Sequence, residues 1–342
     1  MLLSHKIFAG LFVCLFIIGR PHVFCQTTLH TNTPSRPLDN DTTLKQGKYG
    51  FWQRASQPDK GRIIGISTFA GVSYTTSMVI LSKAWYAQYP QTKFHFFNDN
   101  AGWSQIDKAG HVWTAYMESN YSGELYRWAG VSPSRSAWIG AGVGLAFQSG
   151  IEVLDGFSDG WGASVGDIVA NSTGAALYLG QALAWGEQRV LLKFSAHKVD
   201  YSQQPEEVQN RAAELYGTQF SETLLKDYNG QSYWLSVCPA AFSRREQPHW
   251  PRYLNIAVGY GAENMFGAER NIWKDENGVS LNYSDIVRYR QYFLSLDLDL
   301  RHLPIRSPFL RTLLGALNVF KMPAPAIEVN SRGKFKWHWL YF

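Results

Sequence analysis

The chain has 342 residues and a formal net charge of +5, with 45% hydrophobic, 15% aromatic and 17% charged residues. The low charge (an average soluble domain holds ~25%) and the 13 Trp, 18 Tyr and 20 Phe exclude a disordered or fibrous chain. A mean hydropathy of −0.22 argues against a plain polytopic membrane protein, and so diffuse a positive charge gives no case for a nucleic-acid partner. What remains is a folded chain of about two units, partly in water and partly in lipid, since Trp and Tyr favour the membrane interface.

Residues 1–25 read as an export signal. Lys6 supplies the positive start, and Ile7 to Ile18 is almost wholly apolar but short of the ~20 residues that span a bilayer. The expected cut follows Cys25. An uncleaved anchor is the alternative, and acylation of Cys25 would need a better lipobox than His22, Val23 and Phe24. Cys14 and Cys25 lie in the signal, so Cys238 alone stays in the mature chain, as a buried small residue and with no disulfide framework. Residues 26–50, rich in Thr, Asn, Asp and Pro, form a flexible linker.

Residues 51–190 form a helical core domain. A first apolar run covers Ile63 to Leu81, and an aromatic, polar loop from Tyr89 breaks it. A second helix starts near Gln105. Pro133 suits the first turn of a third, which runs from about Ser134 to Leu154. Ser164 is the expected N-cap of a fourth, which reaches about Trp185. Gly140 with Gly144, Ala146 with Gly150, and the Ala170, Gly174, Ala176, Gly180 series give helices three and four thin faces for close approach. All four are near spanning length and none is as apolar as a typical span, so the expectation is a four-helix, membrane-associated core.

Residues 191–342 hold amphipathic helices and a C-terminal antiparallel β region. Pro205 to Lys226 reads as one or two helices. Leu254 to Tyr260 is a strand. Tyr292, Leu294, Leu296, Leu298 and Leu300 alternate with Phe293, Ser295, Asp297 and Asp299, the period of a half-buried strand. Ser307 and Pro308 open a helix to about Phe320. Ala326–Asn330 and Lys334–Phe342 flank a hairpin turn at Ser331-Arg332-Gly333, and Phe335, Trp337, Trp339 and Tyr341 are expected on one face. Four or five strands are too few for an eight-stranded barrel. The fold class is therefore α+β: a four-helix core, amphipathic helices and a small antiparallel sheet packed on the bundle.

The polar residues inside the helical region carry the chemistry. Asp107 and His111 share a helix face, which Thr114 and Glu118 continue. Gln148, Glu152 and Asp155 line one face of the third helix, and DGFSDGWGAS follows with Asp155 and Asp159. The fourth presents Asp167 and Asn171. Buried charges persist only when paired, hydrogen-bonded or metal-bound. Asp107, Glu152, Asp155 and Asp167 face one obvious cation, Lys108, and one histidine. Three readings stay open. The polar groups are interhelical glue, with Asp167 serving the first turn of its helix. They are a site, with His111, Asp107, Glu152 and Asp167 as candidate catalytic groups and Lys108, Asn171 and Asp155 as candidate substrate-binding groups. Or a Glu/Asp/His/Asn set holds a divalent metal, although the pattern assigns no metal or cofactor. Two further stretches are weaker: KDYNGQSYWLS, from Lys226, reads as a loop docked on the bundle, and Arg244 to Arg252 is basic and aromatic, suited to anionic headgroups or to solvent.

FHFFNDNAGWSQIDKAGH (from Phe94), IEVLDGFSDGWGASVGDIVANSTG (from Ile151) and KDYNGQSYWLS together resemble the YfiM-like family of predicted periplasmic lipoproteins, over roughly Trp85 to Gly267. DKxxH, a later Glu and DxxxNxxG are more loosely similar to VanZ-like membrane proteins, with Asp107, Lys108, His111, Glu152, Asp167, Asn171 and Gly174 at the signature positions. The resemblance implies an envelope location, a helical core and no established reaction. The expected protein is exported, periplasm-facing and membrane-associated, at the outer rather than the inner membrane. Its partner is a membrane lipid or envelope component, with a protein partner on the aromatic C-terminal region. It is a structural or accessory component, or alternatively an enzyme-like or ligand-binding protein for a lipid or glycan headgroup.

Overall fold

The computed structural model describes residues 50–84, 90–243, 249–275 and 277–342. The predicted signal, nearly all of the linker, Cys14, Cys25 and residues 244–248 of the basic stretch lie outside the described residues.

The architecture is α+β, with seven helices and a C-terminal antiparallel sheet among the described residues. The first helices are α1 (Lys60–Ala84), α2 (Ile106–Trp128), α3 (Pro133–Gly156) and α4 (Val165–Trp185), each within a few residues of its predicted place. α2, α3 and α4 pack tightly. A Cβ at Gly140 would lie 2.8 Å from Gly123 N, one at Gly144 2.9 Å from Ala115 O, and one at Gly174 2.9 Å from Tyr116 N, so glycine is what lets these backbones meet. Gly180 differs from the expected thin face, since nothing lies within 4 Å of its Cβ position. α1 is peripheral. The Arg62 guanidinium stacks 4.1 Å over Trp128 near its start, while Ile64 and Val72 stay exposed. The tight core thus has three helices. Two of the described helices, Lys60–Lys83 and Pro133–Gly156, are long and apolar enough to cross a membrane by length and composition.

A short parallel pair, β1 (Phe96–Phe97) and β2 (Ala163–Ser164), ties the loop before α2 to the start of α4. After β3 (Val190–Ala196), Pro205 to Lys226 forms two helices, α5 (Glu206–Tyr216) and α6 (Phe220–Lys226). There follow β4 (Gln231–Val237), β5 (Leu254–Glu263), the separate hairpin β6 (Ile272–Lys274) and β7 (Ser280–Asn282), β8 (Tyr289–Leu298), α7 (Pro308–Leu317), β9 (Ala324–Asn330) and β10 (Phe335–Tyr341). The main sheet has six antiparallel strands in the order β10-β9-β8-β5-β4-β3. It exceeds the four or five strands expected because β3 carries little alternation to announce it.

The sheet is inverted relative to a soluble sandwich. In β8 the leucine row faces outward, with Leu294 49% and Leu296 45% exposed, while Gln291, Phe293, Ser295 and Asp297 are buried. The registers extend this across all six strands: Leu192, Leu235, Val258, Leu294, Ile327 and Trp337 form one outer row, and Leu191, Ser236, Ala257, Ser295, Ala326 and His338 an inner row. The inner face is closed by curling. Tyr341 Oη on β10 lies 3.0 Å from Ser232 Oγ on β4, across the concave side. Inside, Lys193 and Asp297, both 0% exposed, pair at 2.7 Å. Lys193 Nζ also donates to Leu298 O and Asn318 Oδ1, and Ser236 Oγ and Met322 N donate to Asp297, so the buried ions are satisfied.

One predicted face is corrected. A register shift between His338 and Tyr341 moves Tyr341 inward, away from Phe335, Trp337 and Trp339. α2 covers the outer face at its β3–β4 corner, where the Trp113 ring lies tilted against Phe194 and edge-on to Tyr233 with centroids 5.1 and 6.1 Å apart. Cys238 is buried, as expected.

Candidate functional site

The site begins with how α2 is launched. Trp103, Ser104 and Gln105 take left-handed φ values of 49°, 51° and 63°, a conformation costing roughly 1–2 kcal/mol for each non-glycine residue. Tertiary contacts hold it: Trp103 N donates to Ala268 O at 2.7 Å, Tyr260 Oη donates to Ser104 O, and Arg290 Nη2 donates to Gln105 Oε1 at 2.6 Å. This turn sets Asp107 and Lys108 in the first turn of α2, with His111 one turn on.

α4 is launched by Ser164, the predicted N-cap, whose Oγ accepts from Asp167 N at 3.1 Å. The same hydroxyl donates to Asp99 Oδ1 at 2.6 Å, and Ser164 N donates to Glu152 Oε2 at 3.1 Å. One residue therefore joins α4, the loop before α2 and α3.

Four other predicted site residues converge on His111. Its Nδ1 donates to Asn171 Oδ1 at 3.1 Å and lies 3.9 Å from Glu152 Oε1. Its Nε2 faces Asp167 Oδ1 at 3.6 Å and Asp107 Oδ1 at 3.9 Å. Lys108 Nζ bridges Asp99 at 2.6 Å, Asp167 at 2.7 Å and Asp107 at 3.1 Å. Tyr228 Oη donates to Asp107 Oδ1 at 3.2 Å, which docks KDYNGQSYWLS on the bundle as expected. Glu152, Asp167 and Asn171 are 4%, 6% and 3% exposed, while Asp107 and Asp99 keep a solvent-facing side. Among the described residues, Glu152 Oε1 and Asn171 Nδ2 are buried without a hydrogen-bond partner.

The electrostatics follow from burial and crowding. Burial raises the Glu152 carboxyl to about 7, against the Ser164 amide and the His111 charge. Burial likewise lifts Asp167, opposed by His111 and Lys108. For His111 burial disfavours charge, but Asp107, Asp167 and Glu152 outweigh it and hold the imidazole above its ordinary range. Burial also opposes charge on Lys108, and its carboxylate partners raise it nonetheless. A His held toward its protonated form and a Glu raised to about 7, 3.9 Å apart, can act as acid and base.

Other predicted residues lie elsewhere. Asp155, in the last turn of α3, is placed differently: it accepts from Trp161 Nε1 at 2.5 Å and acts on the cluster as a charge that raises Glu152. Thr114 Oγ1 donates back to Gly110 O, and Glu118 accepts from Gln148 Nε2 at 2.9 Å, a separate interhelical link whose burial raises Glu118 to about 8. Asp99 was missed. Its signal was FHFFNDN, which reads as a turn until Lys108 and Ser164 are brought to it.

Residues 95–181 match the family model described as "Predicted periplasmic lipoprotein (DUF2279)", to which the YfiM-like resemblance corresponds. The matched stretch is narrower than Trp85 to Gly267, but it takes in β1 through most of α4 and every residue of the cluster except Tyr228. It supports an exported, periplasmic location for an envelope protein. The VanZ-like similarity rests on its residue pattern alone. No curated protein and no solved structure matches the chain.

Proposed function

We propose that the chain is a membrane-seated, periplasm-facing envelope protein whose α2–α4 centre binds, and exchanges protons with, the polar headgroup of a lipid or envelope glycan. The observation that carries this reading is the convergence on His111, with an acceptor (Glu152 Oε1) and a donor (Asn171 Nδ2) buried beside it and unmatched. Unmatched buried polar atoms cost about 1–3 kcal/mol each, and interhelical glue has no use for them. A hydroxylated or phosphorylated headgroup offers both complements. His111 and Glu152 would share the proton traffic, Asn171 would orient the ligand, and Lys108 would hold Asp99, Asp107 and Asp167 together.

The membrane seat is supported by where the apolar surface lies. The outer sheet rows, with Trp339 82% exposed, and the exposed Trp138, Ile168, Val169 and Trp185 on α3 and α4 leave large apolar side chains facing outward, as a lipid-facing surface does. The outer face from Tyr292 to Leu298 is about 20 Å long at ~3.4 Å per residue. At its Tyr292 end stand Arg290 and Phe335, a cationic and an aromatic residue that suit an interface, with Trp337 in the Leu294 row.

The experiment is mass analysis of lipids and glycolipids retained by the protein extracted from membranes in mild detergent. Wild type and Asp155→Asn should retain a headgroup-bearing species. His111→Ala and Glu152→Gln should lose at least tenfold of it while melting within a few degrees of wild type. Loss of ligand and stability in parallel would leave the centre structural.

A second reading, an accessory component without chemistry, is favoured by Phe335, Trp337 and Trp339 standing exposed on the edge strand β10. Co-purification of a stoichiometric protein partner that Trp339→Ala releases would support it.

A further inference from the structure

We infer that the Nε2 side of His111 is a divalent-cation site, with His111 Nε2, Asp107 Oδ1 and Asp167 Oδ1 as ligands. The inference rests on reading the centre as ligand-binding, and it names what the centre binds first. The three ligand atoms lie within 4.8 Å of one another, with Nε2 at 3.6 and 3.9 Å from the two oxygens. A tetrahedral ion with ~2.0–2.2 Å bonds needs its ligands about 3.3–3.6 Å apart, and both Nε2–oxygen distances already lie within a few tenths of an ångström of that.

Three independent features point to a cation there. The first is the orientation of the ring. Nδ1 donates to Asn171 Oδ1, which turns Nε2 toward two carboxylate oxygens. A metal ion would take the place of the Nε2 proton between them. A histidine that donates its other N–H to a carbonyl is the usual arrangement of a metal ligand. The second is a buried carboxylate oxygen aimed at Nε2: Asp167 is 6% exposed, and its Oδ1 faces Nε2 from 3.6 Å with no hydrogen bond among the described residues, Lys108 Nζ being its ion-pair partner at 2.7 Å. The third is the charge count, in which Asp99, Asp107 and Asp167 surround a single lysine and Glu152 adds a fourth carboxyl at His111.

One imidazole and two carboxylates suit Zn²⁺ or Mn²⁺ better than Mg²⁺, which prefers all-oxygen, largely hydrated sites. Asp107 is the solvent-facing ligand, so the remaining coordination position opens outward, where a water or a headgroup oxygen would sit. Lys108 holds the second oxygen of Asp107 at 3.1 Å and braces that carboxylate toward His111.

The test is Zn²⁺ titration by calorimetry on the full chain, purified without a histidine tag, stripped with chelator and kept in detergent, with Mg²⁺ as comparison. Wild type and Asp155→Asn should take up one equivalent of Zn²⁺. His111→Ala and Asp107→Asn should bind at least a hundredfold more weakly, and Asn171→Ala about tenfold more weakly, through the freed imidazole. Apo-protein melting curves monitor folding. If Asp107→Asn fails to fold, His111→Gln, which keeps a polar side chain of similar reach, decides instead. No saturable 1:1 uptake by folded wild type, or uptake indifferent to His111 and Asp107, overturns the inference. Retention of the headgroup species by stripped protein that binds no Zn²⁺ would overturn the metal site and leave the headgroup reading standing. Zn²⁺ uptake with no retained headgroup would do the reverse.

Discussion

Replacing Gly174 with alanine should unseat α4 from α2, whereas the same change at Gly180, on the same helix, should stabilise the protein. A Cβ on Gly174 would overlap the Val112 carbonyl oxygen and lie 2.9 Å from Tyr116 N and 3.0 Å from Val112 C. These are backbone atoms of a facing helix, so no side chain can swing aside. Restoring ordinary contact near ~3.5 Å requires the helices to part by about 1 Å. Overpacking of this kind costs typically ~1–3 kcal/mol, partly offset by the ~1 kcal/mol that alanine gains over glycine in a helix. A clash with backbone puts the cost at the upper end, a net loss of about 2 kcal/mol, so at roughly 2–4 °C per kcal/mol for a unit of this size Gly174→Ala should melt about 4–8 °C lower. Gly180 has nothing within 4 Å of its Cβ position, so Gly180→Ala keeps the propensity gain and should melt a few degrees higher. Thermal unfolding in detergent, followed by circular dichroism, measures both. Because Asn171 lies one turn from Gly174, the first variant should also disturb the His111–Asn171 bond. If Gly174→Ala melts at or above wild type, the close-approach argument fails.

Within the sheet, Lys193→Met or Asp297→Leu alone should destabilise by about 3–5 kcal/mol by stranding a buried charge, and the double variant should recover most of the loss; chemical unfolding of all three checks this. Asp227, 1% exposed, is pushed up by burial to about 6, with Tyr201 and Asn229 opposing through hydrogen bonds. The folded state therefore holds its proton to higher pH than the unfolded state. Stability is greatest below about pH 4 and falls by roughly 3 kcal/mol as pH rises to about 6, at ~1.4 kcal/mol per unit. Asp227→Asn should flatten that part of the melting-temperature profile, and parallel profiles would count against the burial argument. On the outer face, Leu294→Asp with Leu296→Asp should leave melting in detergent nearly unchanged but release the chain from membranes on an alkaline wash. Retention would mean that this face is not a lipid seat.

Much of the helical region was readable in the amino-acid order because its signals are local. Pro133 and Ser164 mark helix starts by backbone chemistry confined to one turn. Spacings of three and four put Asp107 with His111, and Asp167 with Asn171, on single faces. The same locality hid the rest. Asp155 keeps the spacing of Glu152, but it sits where α3 ends and turns to Trp161. Tyr228 reaches Asp107 across 121 residues, and Asp99 belongs to the centre only because Lys108 and Ser164 close on it. The terminal strand was misread at Tyr341 because a bulge, set by its neighbour strand, breaks strict alternation.

By itself, then, the sequence determined the α-then-β order, the helix starts, the thin helix faces and the set of ionisable groups gathered on three stripes. Tertiary structure decided which of those groups meet, and which face of the sheet is the inside. Alternation in β8 states only that leucines and polar residues point opposite ways; it is silent on which side is enclosed. Curling settles that, because Tyr341 reaches Ser232 across the concave side and Lys193, Asp297, Gln291 and Glu328 satisfy one another within it. Once the polar rows have paired among themselves, the leucines and tryptophans are left facing out.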